Sequence, residues 1–410
     1  MKFVFYRPHA NIWFRNTVPN IRKGYEFPNK YAALLDFALS SSHEIYFSTA
    51  LVYEDGFRGL LSRLRDIYDL IAWCVIHKIS LRRSGLVLTR GQLARKDVLF
   101  AMHYGNFTFE TEAGAEQGVR LARGLADLPL CKVIHMTHFA YCPQLGAGNL
   151  KILNPDLLVA ESNLDRVSDF FRKYFPGYAG AFKLLPYVPA PRFVCNKPFD
   201  ERINKLVVTG SITYKMKGRE FIDFYKVDEL QPMRRRLYEE ASRYLNEMSC
   251  QVIDLNEQRA VTSPRPRQSL LKRLSRRAAR LFRRDRVEDV QQNYYRKNIV
   301  ETYNEFCMFA VPEEICDLPA IGFVEGMACG CAYFGIDSPM YRDLGLLPDI
   351  HYVTYDGTVE GLMDKVRYYQ EHHADLERIA REGCEFVRSH LSANTVYLQF
   401  FKHLESATCP

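Results

Sequence analysis

The sequence predicts an α/β protein built from two doubly wound domains that face each other across a cleft. Three observations favour this fold. The length of 410 residues is too great for one hydrophobic core. Short apolar runs alternate with longer helical patterns, and a proline-rich stretch lies near the middle of the chain. No stretch approaches the roughly 20 apolar residues that a membrane helix needs.

In the first half of the chain, apolar runs predict parallel strands, and the amphipathic patterns between them predict crossover helices. Strands are expected at residues 3–6, 45–48, 98–103, 132–136 and 157–160. Helices are expected at residues 31–39, 59–78, 112–125 and 162–174. Four prolines between residues 185 and 199 predict an interdomain linker.

The second half repeats this alternation. Strands are expected at residues 206–209, 308–311, 332–335 and 351–354, and helices at residues 233–248, 359–372 and 376–390. The predicted domains are residues 1–190, residues 191–385 with a basic insertion at 262–290, and a C-terminal helix at 386–410 that packs back on the first domain. Ligands in such sheets lie beyond the carboxyl ends of the strands.

The segment from Asp317 to Gly330 carries the strongest functional signal. Pro319 suits the first position of a helix, and Gly330 suits the left-handed residue that ends one. Free backbone N–H groups at a helix start bind phosphate. Carboxylates at Asp317 and Glu325 are placed to hold hydroxyl groups on either side of that phosphate, so the segment predicts a site for a sugar nucleotide.

This segment resembles the donor site of retaining family 4 glycosyltransferases, which have the GT-B fold. Their signature is an acidic residue, seven spacers, and then Glu, a small residue, Met-Ala, any residue and Gly. Asp317 occupies the first acidic position, where glutamate is usual. The resemblance implies that Asp317 binds the donor sugar near the reaction centre and that Glu325 holds the ribose hydroxyls. It also implies that the phosphate is held by the amides of Ala320, Ile321 and Gly322.

A second part of the resemblance follows the predicted strand at 206–209. The family carries Gly-Arg and then Lys-Gly at this place. Gly210 and Lys217 match it, whereas Ser211 stands at the arginine position. The resemblance implies that Lys217 balances the charge of the donor diphosphate. Which cation replaces the arginine is left open, with Lys215 and Arg219 as alternatives.

The first domain supplies the remaining candidates. His138 follows a predicted strand, at a place where family members often carry a histidine close to the transferred sugar. It is therefore the second candidate catalytic residue, with a purely structural role as the alternative. Arg7, His9 and His103 are the acceptor-side candidates, and His135 is expected to be a packing residue.

Residues 264–286 contain ten Lys or Arg residues and one Asp, in a chain of formal net charge +7. Wound as a helix, this segment has leucines on one side and arginines on the other, a pattern typical of helices that lie on anionic membranes. The expected membrane contacts are Leu270, Leu274, Arg277, Leu281 and Arg284. A solvated helix packed on the second domain is the alternative.

These features predict a hexosyltransferase-type enzyme. It moves a sugar from a nucleotide-sugar donor to a glycan or glycolipid acceptor in the assembly of cell-surface polysaccharide, including lipopolysaccharide. Retention of configuration is implied by the resemblance alone. A non-catalytic GT-B-like subunit, or a nucleic-acid-binding protein that uses the arginine-rich helix, is the alternative.

Two further expectations concern cofactors and location. The sequence contains no Asp-x-Asp motif, so we expect neither a metal nor a cofactor, and the apolar stripe argues against nucleic acid as a partner. Eleven scattered cysteines are typical of reduced thiols. We therefore expect a cytoplasmic protein, peripheral on the inner face of the membrane. The donor, acceptor, linkage and oligomeric state cannot be predicted from the sequence.

Overall fold

The computed structural model describes most of the chain and contains two parallel β-sheets. The described residues are 1–7, 32–49, 57–76, 78–82, 84–101, 112–137, 139, 143–176, 178, 180–212, 219–254 and 298–408. Among them, no helix combines the length and the apolar character needed to cross a membrane.

The N-terminal domain is a seven-stranded sheet with the order β3-β2-β1-β4-β5-β6-β7, and all of its pairs are parallel. Its strands are β1 Lys2–Tyr6, β2 Glu44–Ser48, β3 Gly85–Val87, β4 Val98–Ala101, β5 Cys131–His135, β6 Leu157–Ala160 and β7 Ala181–Leu184. Its helices are α1 Ala32–Ser40, α2 Phe57–Ile76, α3 Arg90–Leu93, α4 Glu112–Ala126, α5 Pro143–Leu153, α6 Leu164–Val167 and α7 Asp169–Tyr174.

The central strands of this sheet are apolar on both faces because helices cover both sides. Every residue of β4 and β6 is buried. Phe3, Phe5, Phe47 and Phe100 form an aromatic layer, with ring centroids 4.9–6.1 Å apart.

The C-terminal domain has a five-stranded parallel sheet of order β10-β8-β12-β13-β14, beside a two-stranded ribbon of β9 and β11. Its strands are β8 Ile203–Val208, β9 Ser211–Ile212, β10 Met248–Cys250, β11 Ile253–Asp254, β12 Phe306–Ala310, β13 Ala332–Ile336 and β14 Val353–Tyr355. Its helices are α8 Arg219–Tyr225, α9 Pro232–Glu239, α10 Ile299–Glu305, α11 Gly322–Ala328, α12 Pro339–Arg342, α13 Val359–Glu371 and α14 His373–His390.

The last helix, α15 Ala393–Thr408, returns to the N-terminal domain. The ring of Phe401 lies 5.1 Å from that of Phe3 and 5.8 Å from that of Phe37. Phe400 packs edge-on against Phe100 at 5.6 Å. The chain therefore passes between the two domains twice.

Two predicted helices are wrong in extent. The helix expected at 162–174 is interrupted at Ser168, which is extended (φ −104°, ψ 111°) and accepts a hydrogen bond from the amide of Phe171 as the cap of α7. The helix expected at 233–248 ends at Glu239. Met248 instead begins β10, because this stretch pairs with β8, and sheet pairing overrides local helical preference.

Candidate functional site

The site predicted in the C-terminal domain lies where its strand order reverses. The chain runs from β8 outward to β10 and returns to β12 on the other side of β8, and ligands bind at such switch points beyond the carboxyl ends. Gly210 and Ser211 follow β8, and Pro312 follows β12. The amide of Thr209 donates to the carbonyl of Ala310 over 3.1 Å and ties the two strand ends together.

Tyr303 lies between the start of α11 and the end of β8. The Tyr303 hydroxyl is buried and lies 3.2 Å from the Thr209 hydroxyl at the end of β8. A Cβ atom added to Gly322 would lie 2.9 Å from the same hydroxyl. The first residue of α11 and the end of β8 therefore both lie close to the Tyr303 hydroxyl at the switch point.

Helix α11 begins three residues later than predicted. Its first residue is Gly322, with Ile321 as the capping residue, whereas Pro319 was expected to open it. The reason lies upstream: Asp317 is left-handed (φ 61°), and Leu318 forms an antiparallel bridge with Glu314. These features keep the chain in a turn through Leu318.

The amides at this start fit the predicted phosphate seat. Within the described part of the chain, the amides of Ala320, Ile321 and Gly322 donate no hydrogen bond. Ala320 and Ile321 are half-buried, whereas Gly322 is buried. Helix starts leave such amides without intrahelical acceptors, so the three amides remain unpaired among the residues that the structure describes, and Ala320 and Ile321 leave the helix start partly open to an anionic ligand.

The end of α11 is as predicted. Gly330 has φ 70°, and its amide donates to the carbonyl of Met327 over 2.9 Å. The amide of Cys331 donates to the carbonyl of Gly326 over 3.2 Å. Together these bonds form the Schellman arrangement that ends many helices.

Two glycines of α11 serve helix packing. A Cβ atom on Gly326 would lie 2.3 Å from the ring of Phe309, and one on Gly322 would lie 2.8 Å from Val311. Both glycines therefore let the helix approach the sheet closely.

Asp317 lies at the boundary with the N-terminal domain. Burial raises the pKa of its carboxyl from 3.8 to about 6, partly offset by a hydrogen bond from Ser168, and the nearby Asp169 raises it further while Arg172 lowers it. The carbonyl of Asp317 accepts a hydrogen bond from the Ser162 hydroxyl over 2.5 Å. The first acidic residue of the motif is thus held by the opposite domain.

Hydrophobic contacts close this boundary. Cys316 and Leu318 are buried in the core cluster of the N-terminal domain. The ring of Phe170 in α7 lies 5.2 Å from the rings of both Phe224 and Tyr225 in α8. The two domains are therefore in contact beside the predicted donor site.

The other predicted site residues within the described part differ in setting. Glu325 is half-buried in α11, and Gly210, with φ 123°, adopts a conformation that favours glycine. Ser211 is half-buried and pairs with Ile253. Arg7 follows β1 with φ 45°, and its buried Nε has no partner among the described residues.

Several predicted residues lie outside the described residues. They are His9, His103, His138 and Lys217, together with the membrane contacts Leu270, Leu274, Arg277, Leu281 and Arg284.

The structure also adds three features that sequence reasoning missed, and the first is a buried contact between a histidine and a carboxyl group. His135 Nε2 lies 2.9 Å from Glu161 Oε1, and both side chains are almost fully buried. His135 was expected to be a packing residue; it is buried as expected, and it also contacts Glu161 at the carboxyl ends of β5 and β6. The signal was available, since both residues end or follow neighbouring predicted strands.

The second feature is a buried carboxyl group just after β12. Glu313 Oε1 accepts hydrogen bonds from the hydroxyls of Tyr333, over 2.7 Å, and Tyr341. Burial raises the pKa of Glu313, and the two phenols lower it by a smaller amount. No local pattern in the sequence indicates this group, because its partners come from β13 and α12.

The third feature is Arg234 in α9, which lies at the switch point. Its Nε donates to the carbonyl of Pro312 over 2.8 Å, and its Nη1 donates to the carbonyl of Ser211 over 3.1 Å. The signal in the sequence is a run of three arginines near a helix start, where the helix dipole disfavours cations.

A surface depression of about 1010 Å³ lies at the amino ends of strands in the N-terminal sheet. Asp97, Cys131 and Asp156 line it at or before the amino ends of β4, β5 and β6. Ligands of doubly wound sheets bind at the carboxyl ends, so this depression is not the predicted site.

Two doubly wound domains with parallel sheets are the architecture of the GT-B fold of glycosyltransferases, and comparison with solved structures confirms this fold prediction. HepE from Anabaena, solved in complex with UDP-glucose, matches with a TM-score of 0.55 and 15% identity over 99% of this chain and 100% of HepE. A glycosyltransferase from Rickettsia africae matches with a TM-score of 0.54 and 9% identity over 100% of this chain and 98% of that one.

Sucrose-phosphate synthase from Thermosynechococcus elongatus is similar too, with a TM-score of 0.51 and 11% identity over 99% of both chains. In sequence, residues 267–402 match the family described as glycosyl transferase-like. That stretch is about a third of the chain and includes Asp317 and Glu325. No protein of curated function is similar enough in sequence to be matched.

Proposed function

We propose that this protein is a retaining glycosyltransferase. It transfers a hexose from a nucleotide sugar to a glycan or glycolipid acceptor in the assembly of cell-surface polysaccharide, without a metal or another cofactor. The observation that carries this proposal is the meeting of three elements at the C-terminal switch point. These elements are the end of β8, the end of β12 and the start of α11, where three amides are available.

We assign roles to the residues of the site from their positions at the switch point and from the family resemblance. The amides of Ala320, Ile321 and Gly322 hold a donor phosphate, because helix starts favour anions. Glu325 holds the ribose hydroxyls, and Asp317 contacts the sugar beside the N-terminal domain. Stabilising the charge on the departing diphosphate supplies the main rate effect.

The closed boundary between the domains supports a transfer reaction. Leu318 and Cys316 are packed against the N-terminal domain, so that domain helps to hold the acidic segment in place. Closure of this kind excludes water and protects an activated sugar from hydrolysis. His138 and the acceptor-side residues Arg7, His9 and His103 belong to the opposite domain and would face the acceptor.

The donor is tested first by thermal shift with a panel of sugar nucleotides, and then by titration calorimetry with the best nucleoside diphosphate. Glu325→Ala is expected to lose about 1.5–3 kcal/mol of binding free energy, since a carboxylate that accepts from both ribose hydroxyls makes charge-assisted bonds. The penalty should shrink when the 2′-deoxynucleotide is used.

Glu371→Ala is the matched control, because Glu371 is exposed at the end of α13. Equal affinities for the Glu325 and Glu371 variants would remove Glu325 from the site. If no sugar nucleotide binds the unaltered protein, the enzyme proposal fails and a non-catalytic subunit remains.

We also propose that the protein binds anionic membranes, and the sequence pattern of the basic segment at 264–286, which lies outside the described residues, supports this proposal. Deleting this segment should release the protein from anionic vesicles in co-sedimentation, because its arginines would attract anionic headgroups and its leucines would enter the apolar layer. Turnover of a soluble acceptor should change little. Vesicle binding that survives the deletion would overturn this part.

A further inference from the structure

Helix α9 begins with Pro232 and carries three consecutive arginines near its start. Cations at this end of a helix oppose its dipole, so each guanidinium needs a compensating partner. Arg235 has Glu229 at 2.9 Å and Asp254 at 2.5 Å. Arg236 has Glu360 at 3.4 Å. Two of the three arginines are therefore neutralised by carboxylates.

Arg234 differs from both neighbours. It is only 7% exposed, and its described partners are the uncharged carbonyls of Ser211 and Pro312. Within the described residues it has no carboxylate at ion-pair distance, and its Nη2 donates no hydrogen bond. A buried cation without a counter-ion is costly, and carbonyl groups only partly offset that cost.

Among the described residues, Glu313 is an acidic group near Arg234; burial raises the pKa of its carboxyl, and the guanidinium lowers it. The Oε1 atom of Glu313 already accepts hydrogen bonds from Tyr333 and Tyr341. Arg234 can therefore pair with another anion.

The position of Arg234 indicates which anion. Its two carbonyl partners follow β8 and β12, so the guanidinium spans the switch point of the C-terminal sheet. Gly210 permits this approach, because a Cβ atom there would lie only 3.1 Å from Arg234 Nε. The start of α11, with its available amides, lies at the same switch point.

We propose that Arg234 binds the diphosphate of the nucleotide donor and supplies the cation that Ser211 does not. The inference rests on the proposed function for the identity of the ligand. Nη2 donates to a phosphate oxygen, while Nε and Nη1 keep the guanidinium fixed between the two strand ends. Charge-assisted, geometrically fixed bonds of this kind are the strong ones.

The test compares Arg234→Met with Arg236→Met, a neighbouring arginine on the same helix whose ion pairs are solvent-exposed. The probes are inorganic pyrophosphate, the nucleoside diphosphate found by thermal shift, and the corresponding nucleoside. We expect Arg234→Met to weaken pyrophosphate and nucleoside diphosphate binding by about tenfold to a hundredfold. Arg236→Met should change the affinity for pyrophosphate and for the nucleoside diphosphate by less than about threefold. The affinity for the nucleoside should be unchanged in both variants.

A purely structural role for Arg234 predicts a different result, namely equal losses for nucleoside and nucleoside diphosphate. That result, or equal pyrophosphate affinities in the two variants, overturns the proposal. If Arg234→Met does not fold, Arg234→Lys and Arg236→Lys are compared. A loss of diphosphate affinity of about threefold or more, confined to the Arg234 variant, supports the proposal, and no difference overturns it.

Failure of the proposed function has its own signature. If pyrophosphate binding depends on Arg234 but no sugar nucleotide is turned over, the anion site stands and the transferase proposal falls. If sugar nucleotides are turned over while Arg234→Met binds diphosphate normally, only the assignment of Arg234 falls. A protein that binds neither pyrophosphate nor any nucleoside diphosphate overturns both.

Discussion

The two ends of the connection between β12 and α11 are held by different parts of the molecule. The inner end, residues 312–314, is bonded within its own domain, where Glu313 meets Tyr333 and Tyr341. The outer end, residues 316–318, is bonded to the other domain through Ser162. The comparison teaches that one short connection has two kinds of support. The inner support comes from the connection's own domain, whereas the outer support comes from the N-terminal domain and would be lost if the domains separated.

The largest effect is expected at the inner end. Glu313→Ala should lower the free energy of unfolding by about 2–4 kcal/mol, because two buried phenols lose their shared carboxyl acceptor. Glu313→Gln should cost less than about 1.5 kcal/mol, since the amide oxygen still accepts a hydrogen bond. Differential scanning calorimetry of both variants measures this difference. Equal melting for the alanine variant and the unaltered protein would show that the inner end is not held by Glu313.

The next effect concerns Asp317 and pH. Its pKa of about 6 in the folded protein exceeds the ordinary 3.8, so between these values the folded state keeps a proton that the unfolded state has lost. The free energy of unfolding should therefore fall as pH rises from about 4 to about 6, and then level off. We expect a fall of about 1–2 kcal/mol, after allowance for solvent screening.

Asp317→Asn replaces the titrating carboxyl group. The free energy of unfolding of this variant should therefore not show the fall between about pH 4 and about pH 6. Comparing the variant with the unaltered protein at each pH cancels the contributions of all other groups, and chemical denaturation supplies the measurement. Parallel stability curves across this pH range would mean that Asp317 is not buried at the boundary.

The smallest effect is expected from Ser162→Ala, which breaks the outer hydrogen bond to the Asp317 carbonyl. One such bond contributes about 1 kcal/mol, so the KM for the donor should rise roughly fivefold while the melting temperature changes little. Ser84→Ala is the matched control, since Ser84 is buried and donates to the Ser80 carbonyl within the N-terminal domain. An equal rise in KM for both variants would contradict a special role for the outer end.

Local patterns predicted the frame of the site correctly. Alternating apolar runs located most of the parallel strands, and Gly330 was expected to be left-handed and is so. The Asp317 to Gly330 segment was expected to be a turn followed by a short helix, and the structure has a turn through Leu318 and a helix from Gly322 to Ala328. These features depend on neighbours within a few residues, which a sequence displays directly.

Long-range partners could not be predicted in the same way. Arg234 meets Ser211 and Pro312, residues 23 and 78 positions away, only because the strand order brings β8 beside β12. The late start of α11 has the same origin, since the turn through Asp317 is held by Ser162, 155 positions away. Such contacts follow from topology, and one sequence does not fix topology in that detail.

The return of α15 to the N-terminal domain has a mechanical consequence. The lobes are joined by two covalent tethers, residues 185–202 and the short link between α14 and α15. With one covalent connection the lobes could rotate freely about it, whereas two connections resist twisting and restrict relative movement to rotation about the line between them. Each such rotation then returns the same residues of the two lobes to their contacts.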